Sequence, residues 1–158
     1  MRLGGTRPRA RRIPPMTVHR HRFRVRYGET DQMGFVHHRV YLLYFEEGRT
    51  GLMRELGRSY ADLERAGTIL PVADAALRFR TPAFYDEELV TETRIAEVTG
   101  VRVRFEYRVL HAADGSLAAE GHTTLASCDS AGKPRRMPAD LSDLLRSALE
   151  PADGAAAR

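Results

Sequence analysis

The sequence predicts an α+β fold in which one antiparallel sheet wraps around a long helix. Three observations lead there. A short alternating segment precedes a longer stretch with helical periodicity, four strand-like segments bounded by turns then follow in succession, and no repeat or low-complexity linker divides residues 19–149. At 158 residues the chain has the length of one domain with a real core. Apolar residues make up 42% and charged residues 29%, an ordinary globular balance that argues against a disordered chain. No run of eighteen apolar residues exists, so membrane insertion is not expected.

The first expected strand covers 21–27, where Phe23, Val25 and Tyr27 alternate with Arg22, Arg24 and Arg26. That period of two gives a strand with one wet face. The polar connection GETDQMGFVHH follows. Over 41–57 the period turns helical: Tyr41, Phe45, Leu52 and Leu56 share a face, with Leu42 and Met53 widening the stripe. Arg54 and the stop at Gly57 suit a helix C-terminus. Gly48 and Gly51 inside this helix each cost about 1 kcal/mol relative to alanine, so they predict a backbone pressed against a flat surface, a sheet. A short helix over 59–66 is capped by Ser59, with Asp62 in its first turn. Strands are expected over 70–79, ending at Thr81-Pro82, and over 89–98, closed by Thr99-Gly100. A third covers 101–110, with Val101, Val103, Phe105, Tyr107 and Val109 on one face, and a fourth covers 117–128 after the Asp114-Gly115 turn. These four read as a meander, and an amphipathic helix closes the domain over 139–149. The economical packing of this pattern, one antiparallel sheet around a central helix, is the hotdog architecture.

The net charge of +4 is unevenly placed. Arg2, Arg7, Arg9, Arg11 and Arg12 crowd the first fifteen residues without an acid, leaving 20 basic against 21 acidic side chains elsewhere. A near-neutral body does not offer a nucleic-acid surface, so no nucleic acid is expected as partner. Residues 1–18 read as a disordered basic extension and 150–158 as a disordered tail. Arg11-Arg12 matches the twin arginines of an export signal, but IPPMTVHRHRF, broken by prolines and charge, lacks the apolar stretch that must follow. Translation from Met16 would account for the whole segment. Cys128 is the only cysteine, which rules out an intrachain disulfide and fits a reducing, cytoplasmic setting. Within GHTTLASCD it reads as a half-buried structural thiol.

Chemistry concentrates between the first strand and the long helix. Tyr27-Gly28-Glu29-Thr30-Asp31-Gln32-Met33-Gly34-Phe35-Val36-His37-His38, then Tyr41 and Phe45-Glu46-Glu47-Gly48-Arg49, resemble the 4-hydroxybenzoyl-CoA thioesterase family, and within it the YbgC-like acyl-CoA thioesterases. The similarity continues through Pro82-Ala83-Phe84-Tyr85-Asp86-Glu87, Ala119-Glu120-Gly121 and Gly132-Lys133-Pro134, about residues 19–138 in all. A lone D-x-x-G carries little weight. D-x-x-G-x-x-H-H-x-x-Y between a strand and an aromatic helix is specific.

The resemblance implies a hotdog acyl-CoA thioesterase that hydrolyses an acyl-CoA to a carboxylic acid and free coenzyme A, with no metal or redox cofactor. It makes Asp31 the catalytic carboxylate. Aspartate, with an ordinary pKa of about 3.9, is ionised near neutrality and either attacks the thioester carbonyl or deprotonates a water that does. The same resemblance sets the backbone N–H of His38, at the start of the long helix, against the carbonyl oxygen. Unpaired amides and the positive helix end favour the oxyanion there. The His38 side chain is a second catalytic candidate, able to orient water or assist the leaving thiolate. Gly34 lets the loop turn tightly. Gly34, Val36, His37, Tyr41 and Phe45 are candidate substrate-binding residues, with Tyr41, Tyr44 and Phe45 as walls of an acyl tunnel. Lys133, Arg135 and Arg136 are candidates for the coenzyme A phosphates, which arginine pairs with well. Without the motif, Asp31 reads as a turn or capping residue, the aromatics as core and the basic cluster as a solvated turn.

A metal centre of Asp31, His37 and His38 is not expected, because adjacent histidines at a helix start point apart and no further ligand is signalled. Glu46 and Glu47 read as structural acids that pair with Arg49 at helical spacing. One departure from the family stands out. Many relatives carry a small residue and then asparagine before the tyrosine, where this chain has Arg39 and Val40. An asparagine there would support the helix start or the acyl group, so the change bears on substrate preference. Family active sites form at a dimer interface where two protomers join their sheets, and dimers commonly pair into tetramers, so a homo-oligomer is expected. The alternative from another class is a non-catalytic acyl-CoA or acyl-carrier-protein binding module; Asp31 argues against it and Arg39-Val40 for it. The paired histidine and central-helix acid of a hotdog dehydratase are not recognisable.

Overall fold

Alternating arginines near the start of the chain form β1 (His19–Arg24), which points its arginines outward and His19, His21 and Phe23 inward. The computed structural model describes residues 17–149. The extension expected over 1–18 falls outside them except at its last two positions, and the tail over 150–158 falls outside entirely. The first strand ends three residues earlier than its pattern suggests. A 3-10 turn over Tyr27–Glu29 interrupts it, closed by the Glu29 N–H on the Arg26 carbonyl at 3.0 Å, and leaves Tyr27 81% exposed.

Helix α1 (Val40–Glu55) follows and stops as the glycine predicts. Gly57 has φ of +84°, its N–H bonds to Arg54, and the N–H of Arg58 reaches back to Met53 at 3.0 Å, a Schellman ending. Helix α2 (Tyr60–Arg65) is capped by Ser59, whose Oγ accepts the Asp62 N–H at 3.1 Å. Then come β2 (Thr68–Ile69), β3 (Val72–Phe79), β4 (Glu88–Val98), β5 (Arg102–His111), β6 (Leu117–Ala126), β7 (Cys128–Asp129) and α3 (Ala139–Ser147).

The five long strands form one antiparallel sheet in the order β1-β4-β5-β6-β3, and β2 pairs with β7 separately. This corrects the expected meander: only β4, β5 and β6 follow one another, while β3 lies beside β6 and β1 completes the other edge beside β4. Periodicity identifies strands but not their partners. The partners are set by α1, which lies across β1, β4, β5 and β6. The chain leaving it emerges where β2 meets β7, just past β6, so β3 adds at that edge.

Inward residues of the sheet and the near face of α1 make one core. Leu89, Ile95, Val103, Phe105, Val109 and Leu125 meet Tyr44, Phe45, Leu52 and Met53, all fully buried, each apolar side chain contributing about 1.5–3 kcal/mol. Two expected members are absent from it. Leu42 is 42% exposed on the far side of α1, its place taken by Tyr44, and Val101 is 50% exposed in the β4–β5 turn. Cys128 is more deeply buried than expected. Arg49 does meet Glu46, at 3.7 Å, while Glu47 faces His21 at 3.3 Å. The outer face carries a charge row in direct register, Arg20, Glu92, Arg108, Glu120 and Arg78, one residue from each strand.

The helical glycines sit where the backbones meet. A Cβ on Gly48 would collide with Thr93 Oγ1 of β4, and one on Gly51 with the His19 ring of β1. Helix propensity alone predicts that Gly48→Ala stabilises by about 1 kcal/mol. The contact predicts the reverse, a loss of about 1–3 kcal/mol from overpacking. Urea denaturation decides the sign, and a more stable Gly48→Ala protein would contradict this packing.

Candidate active site

The connection from β1 to α1 folds into a small hairpin. The N–H of Asp31 bonds to the Phe35 carbonyl at 3.0 Å, Thr30 bridges Val36, and the N–H of His37 bonds to the Glu29 carbonyl at 2.9 Å. At its tip the Gly34 N–H returns to the Asp31 carbonyl at 2.9 Å, and Gly34 has φ of +88°, a backbone open to glycine at little cost. Asp31 Oδ1 accepts the Met33 N–H at 2.8 Å. The residue therefore does hold its own turn, which fixes the carboxylate with one oxygen and leaves Oδ2 without a hydrogen bond among the described residues.

Two anchors tie this hairpin to the body. Inside, the buried Glu29 accepts the Arg26 N–H at 2.8 Å, the Arg26 guanidinium at 2.9 Å and the Tyr44 hydroxyl at 2.8 Å, so a residue of α1 holds the base of the hairpin. Burial, then the bond to Glu29, pushes the Tyr44 hydroxyl pKa up, keeping it a donor. Outside, Phe35 bridges Phe84 and the Val36 N–H bonds to the Ala83 carbonyl at 2.8 Å. Tyr41 lies nearby on α1, its pKa raised to about 12 by burial and then by the charge of Glu87.

The hairpin runs directly into α1. The His37 carbonyl accepts the Val40 N–H at 2.9 Å, and His37 Nδ1 accepts the Arg39 N–H at 3.3 Å. The His37 imidazole thus ties down the turn that enters the helix, two residues before the N-cap Arg39, which makes no side-chain capping bond of its own. The N–H of His38 has no hydrogen-bond partner among the described residues. The two histidine rings do not point apart, as the sequence suggested, but lie 4.1 Å between centroids at 30°. The asparagine missing before Tyr41 is replaced by Val40, which is buried, and support for the helix start comes from His37 instead.

Asp31, Gly34, Val36, His37 and His38 therefore share one hairpin and helix entry, with Tyr41 one turn further. Phe45 stands apart: it is fully buried, stacked on Tyr107 at 4.2 Å and pressed against Gly121. The basic cluster stands further off. The Arg135 N–H bonds to Ser127, its guanidinium reaches Thr68 at 2.7 Å, and Met137 bonds to Gly100. Lys133, Arg135 and Arg136 thus sit at the Val98 end of β4, while the hairpin adjoins the Glu88 end. At about 3.3 Å per residue the length of that strand separates them within one chain. The anchoring carboxylates Glu29 and Glu87 lay inside the quoted motifs, but nothing in the pattern distinguished them from surface acids.

A sheet wrapped on a central helix, with a carboxylate-bearing turn feeding that helix, defines the class: a hotdog thioesterase, a thioester hydrolase. The thioesterase-like superfamily model matches residues 25–145. YneP of Bacillus subtilis, which carries a provisional acyl-CoA thioesterase name, is 39% identical over 98 residues, 62% of this chain and 71% of its own. The acyl-CoA thioesterase YbgC of Haemophilus influenzae is 32% identical over 111 residues, 70% of this chain and 79% of its own. A DHNA-CoA thioesterase structure from Staphylococcus aureus superposes with a TM-score of 0.76 at 30% identity, covering 82% of this chain and 87% of that one. The chain belongs to the thioesterase-like superfamily.

The imidazole bond at the helix entry, which acts on the Arg39 amide as a cap would, makes a stability prediction. His37→Ala loses about 1 kcal/mol by chemical denaturation, whereas His37→Asn, whose side chain caps equally well, retains most of it. Equal loss in both variants would contradict that role.

Proposed function

We propose that this chain hydrolyses acyl-CoA thioesters to a carboxylic acid and free coenzyme A, with Asp31 as nucleophile or general base. The observation that carries the reading is a carboxylate held by its own turn on a hairpin that leads straight to the unpaired His38 N–H. Either water adds to the acyl carbon as Asp31 takes its proton, or Asp31 bonds that carbon first and water resolves the anhydride. Both routes put negative charge on the carbonyl oxygen, where the His38 N–H and the α1 terminus stabilise it. The C–S bond then breaks, and the thiolate leaves and gains a proton. In this reading the His38 side chain orients that water or assists the thiol, and Tyr41 borders the acyl group.

The same reading makes the protein a cytoplasmic homo-oligomer. The outer edge of β3 has no strand partner among the described residues, and Val72 and Phe79 on it are half exposed. Two copies joined antiparallel along β3 would place the β2 end of one beside the Phe79 end of the other. The Lys133, Arg135 and Arg136 loop of a second copy would then lie near this hairpin, in reach of coenzyme A phosphates. Among the described residues no helix is long and apolar enough to cross a membrane.

Thiol release from short, long and aromatic acyl-CoAs tests the assignment. Asp31→Asn is expected to lower kcat by about a hundredfold or more while the protein stays folded. Retained turnover in that variant would overturn the role of Asp31.

A further inference from the structure

The segment from Thr81 to Glu87 forms the outer wall of the Asp31 hairpin, and it is held by side chains that the proposed reaction does not use: Thr81, Glu87, His111 and Arg24, whose guanidinium donates to the Asp86 carbonyl at 2.8 Å. Glu87 Oε2 accepts the Phe84 N–H at 2.8 Å, and its Oε1 lies 2.8 Å from His111 Nδ1. On the other side of that buried imidazole, Nε2 lies 2.9 Å from Thr81 Oγ1, which in turn bonds to the Leu117 carbonyl at 2.8 Å. Thr81 gives its one proton to Leu117, so His111 Nε2–H is the donor in the contact with Thr81, and the Nδ1 side is shared with Glu87 Oε1. The main chain ties the segment to the sheet with three bonds: Val25 N–H to the Glu87 carbonyl at 2.9 Å, Asp86 N–H to the Val25 carbonyl at 3.0 Å and Thr81 N–H to the Ala118 carbonyl at 3.2 Å.

This anchoring holds a costly conformation. Asp86 has φ of +66°, the only non-glycine residue with positive φ among those described, a backbone that persists only when its surroundings enforce it. Between the anchored ends lie Ala83 and Phe84, the two residues on which Val36 and Phe35 rest. Glu87 therefore fixes Phe84, Phe84 and Ala83 fix the returning arm of the hairpin, and Phe35 holds the Asp31 N–H.

We infer that Glu87, braced by His111 and Thr81, is a positioning residue for the Asp31 carboxylate, acting through the 81–87 segment and not on the substrate. The inference rests on the role of Asp31 proposed above. It requires the shape of the Glu87 side chain, not its charge. A glutamine accepts the Phe84 N–H with its carbonyl and donates to His111 Nδ1. His111 Nε2–H then donates to Thr81, which donates to Leu117, so every group keeps a partner. Alanine leaves the Phe84 N–H and the imidazole unmatched.

Glu87→Ala is therefore expected to lower kcat about 10- to 100-fold, the scale of an ångström-sized misplacement, with KM changed by less than about threefold. Glu87→Gln is expected to restore most of kcat. Amide hydrogen exchange at Val36, whose N–H bonds to Ala83, is expected to speed up about tenfold or more in Glu87→Ala and stay near wild type in Glu87→Gln. Wild-type kcat and Val36 protection in Glu87→Ala would overturn the inference. So would Glu87→Gln failing as badly as alanine, the mark of a carboxylate that reacts. Should Glu87→Ala not fold, Thr81→Val removes both contacts of the Thr81 hydroxyl, to His111 and to Leu117, and is expected to lower kcat severalfold and speed Val36 exchange; no change in either would overturn the inference. If the wild type cleaves no thioester, the function assigned above fails, while the exchange measurement still decides whether Glu87 holds the hairpin.

Discussion

Helix α1 lies so close to the sheet that two of its residues have room for no side chain. At Gly48 the threonines of β4 fill the space, and at Gly51 the His19 ring does. This seat fixes the height and tilt of the helix, and the rest of the molecule is arranged around it. With α1 lowered onto the sheet, Phe45 reaches Tyr107 and Gly121, and Gly121 must itself be bare because Phe45 and the Ala76 carbonyl crowd it. The helix N-terminus is brought down with it, to where Tyr44 meets Glu29 under the hairpin. A looser helix would leave that carboxylate buried without one of its donors, at a cost of about 1–3 kcal/mol.

The groups around the hairpin each serve structure and, in the proposed reaction, chemistry as well. Asp31 holds its turn with one oxygen and offers the other. His37 takes the Arg39 amide with its ring and the Val40 amide with its carbonyl, which leaves the His38 amide as the unpaired donor at the helix entry. Such economy helps a short connection with two glycines, Gly28 and Gly34, hold one geometry: the amides of Glu29, Asp31, Met33, Gly34, Val36 and His37 are all engaged.

Much of this was legible in the sequence. The glycines of α1 announced a close surface, Gly57 and Ser59 marked the helix ends they occupy, and alternating residues in β5 separated its inner from its outer face. What was hidden depends on partners distant in the chain. No local pattern tells β3 to lie beside β6 instead of β4, or keeps Leu42 and Val101 out of the core. The Asp31 segment was legible as a motif, but its mechanics were not. An imidazole that ties down a helix entry looks like any histidine before a helix, and Glu87 reveals its importance only when His111 arrives from the end of β5. Lys133, Arg135 and Arg136 show the same limit, since only the fold reveals that one chain keeps them apart from the hairpin.

The most direct test of the account is a crystal structure with a nonhydrolysable acyl-CoA ketone, in which a methylene replaces the thioester sulfur and the carbonyl remains. The account predicts that this carbonyl oxygen accepts the His38 N–H while the carbonyl carbon faces Asp31 Oδ2. A carbonyl bound away from the helix entry, or an Asp31 carboxylate turned from it, would contradict the account.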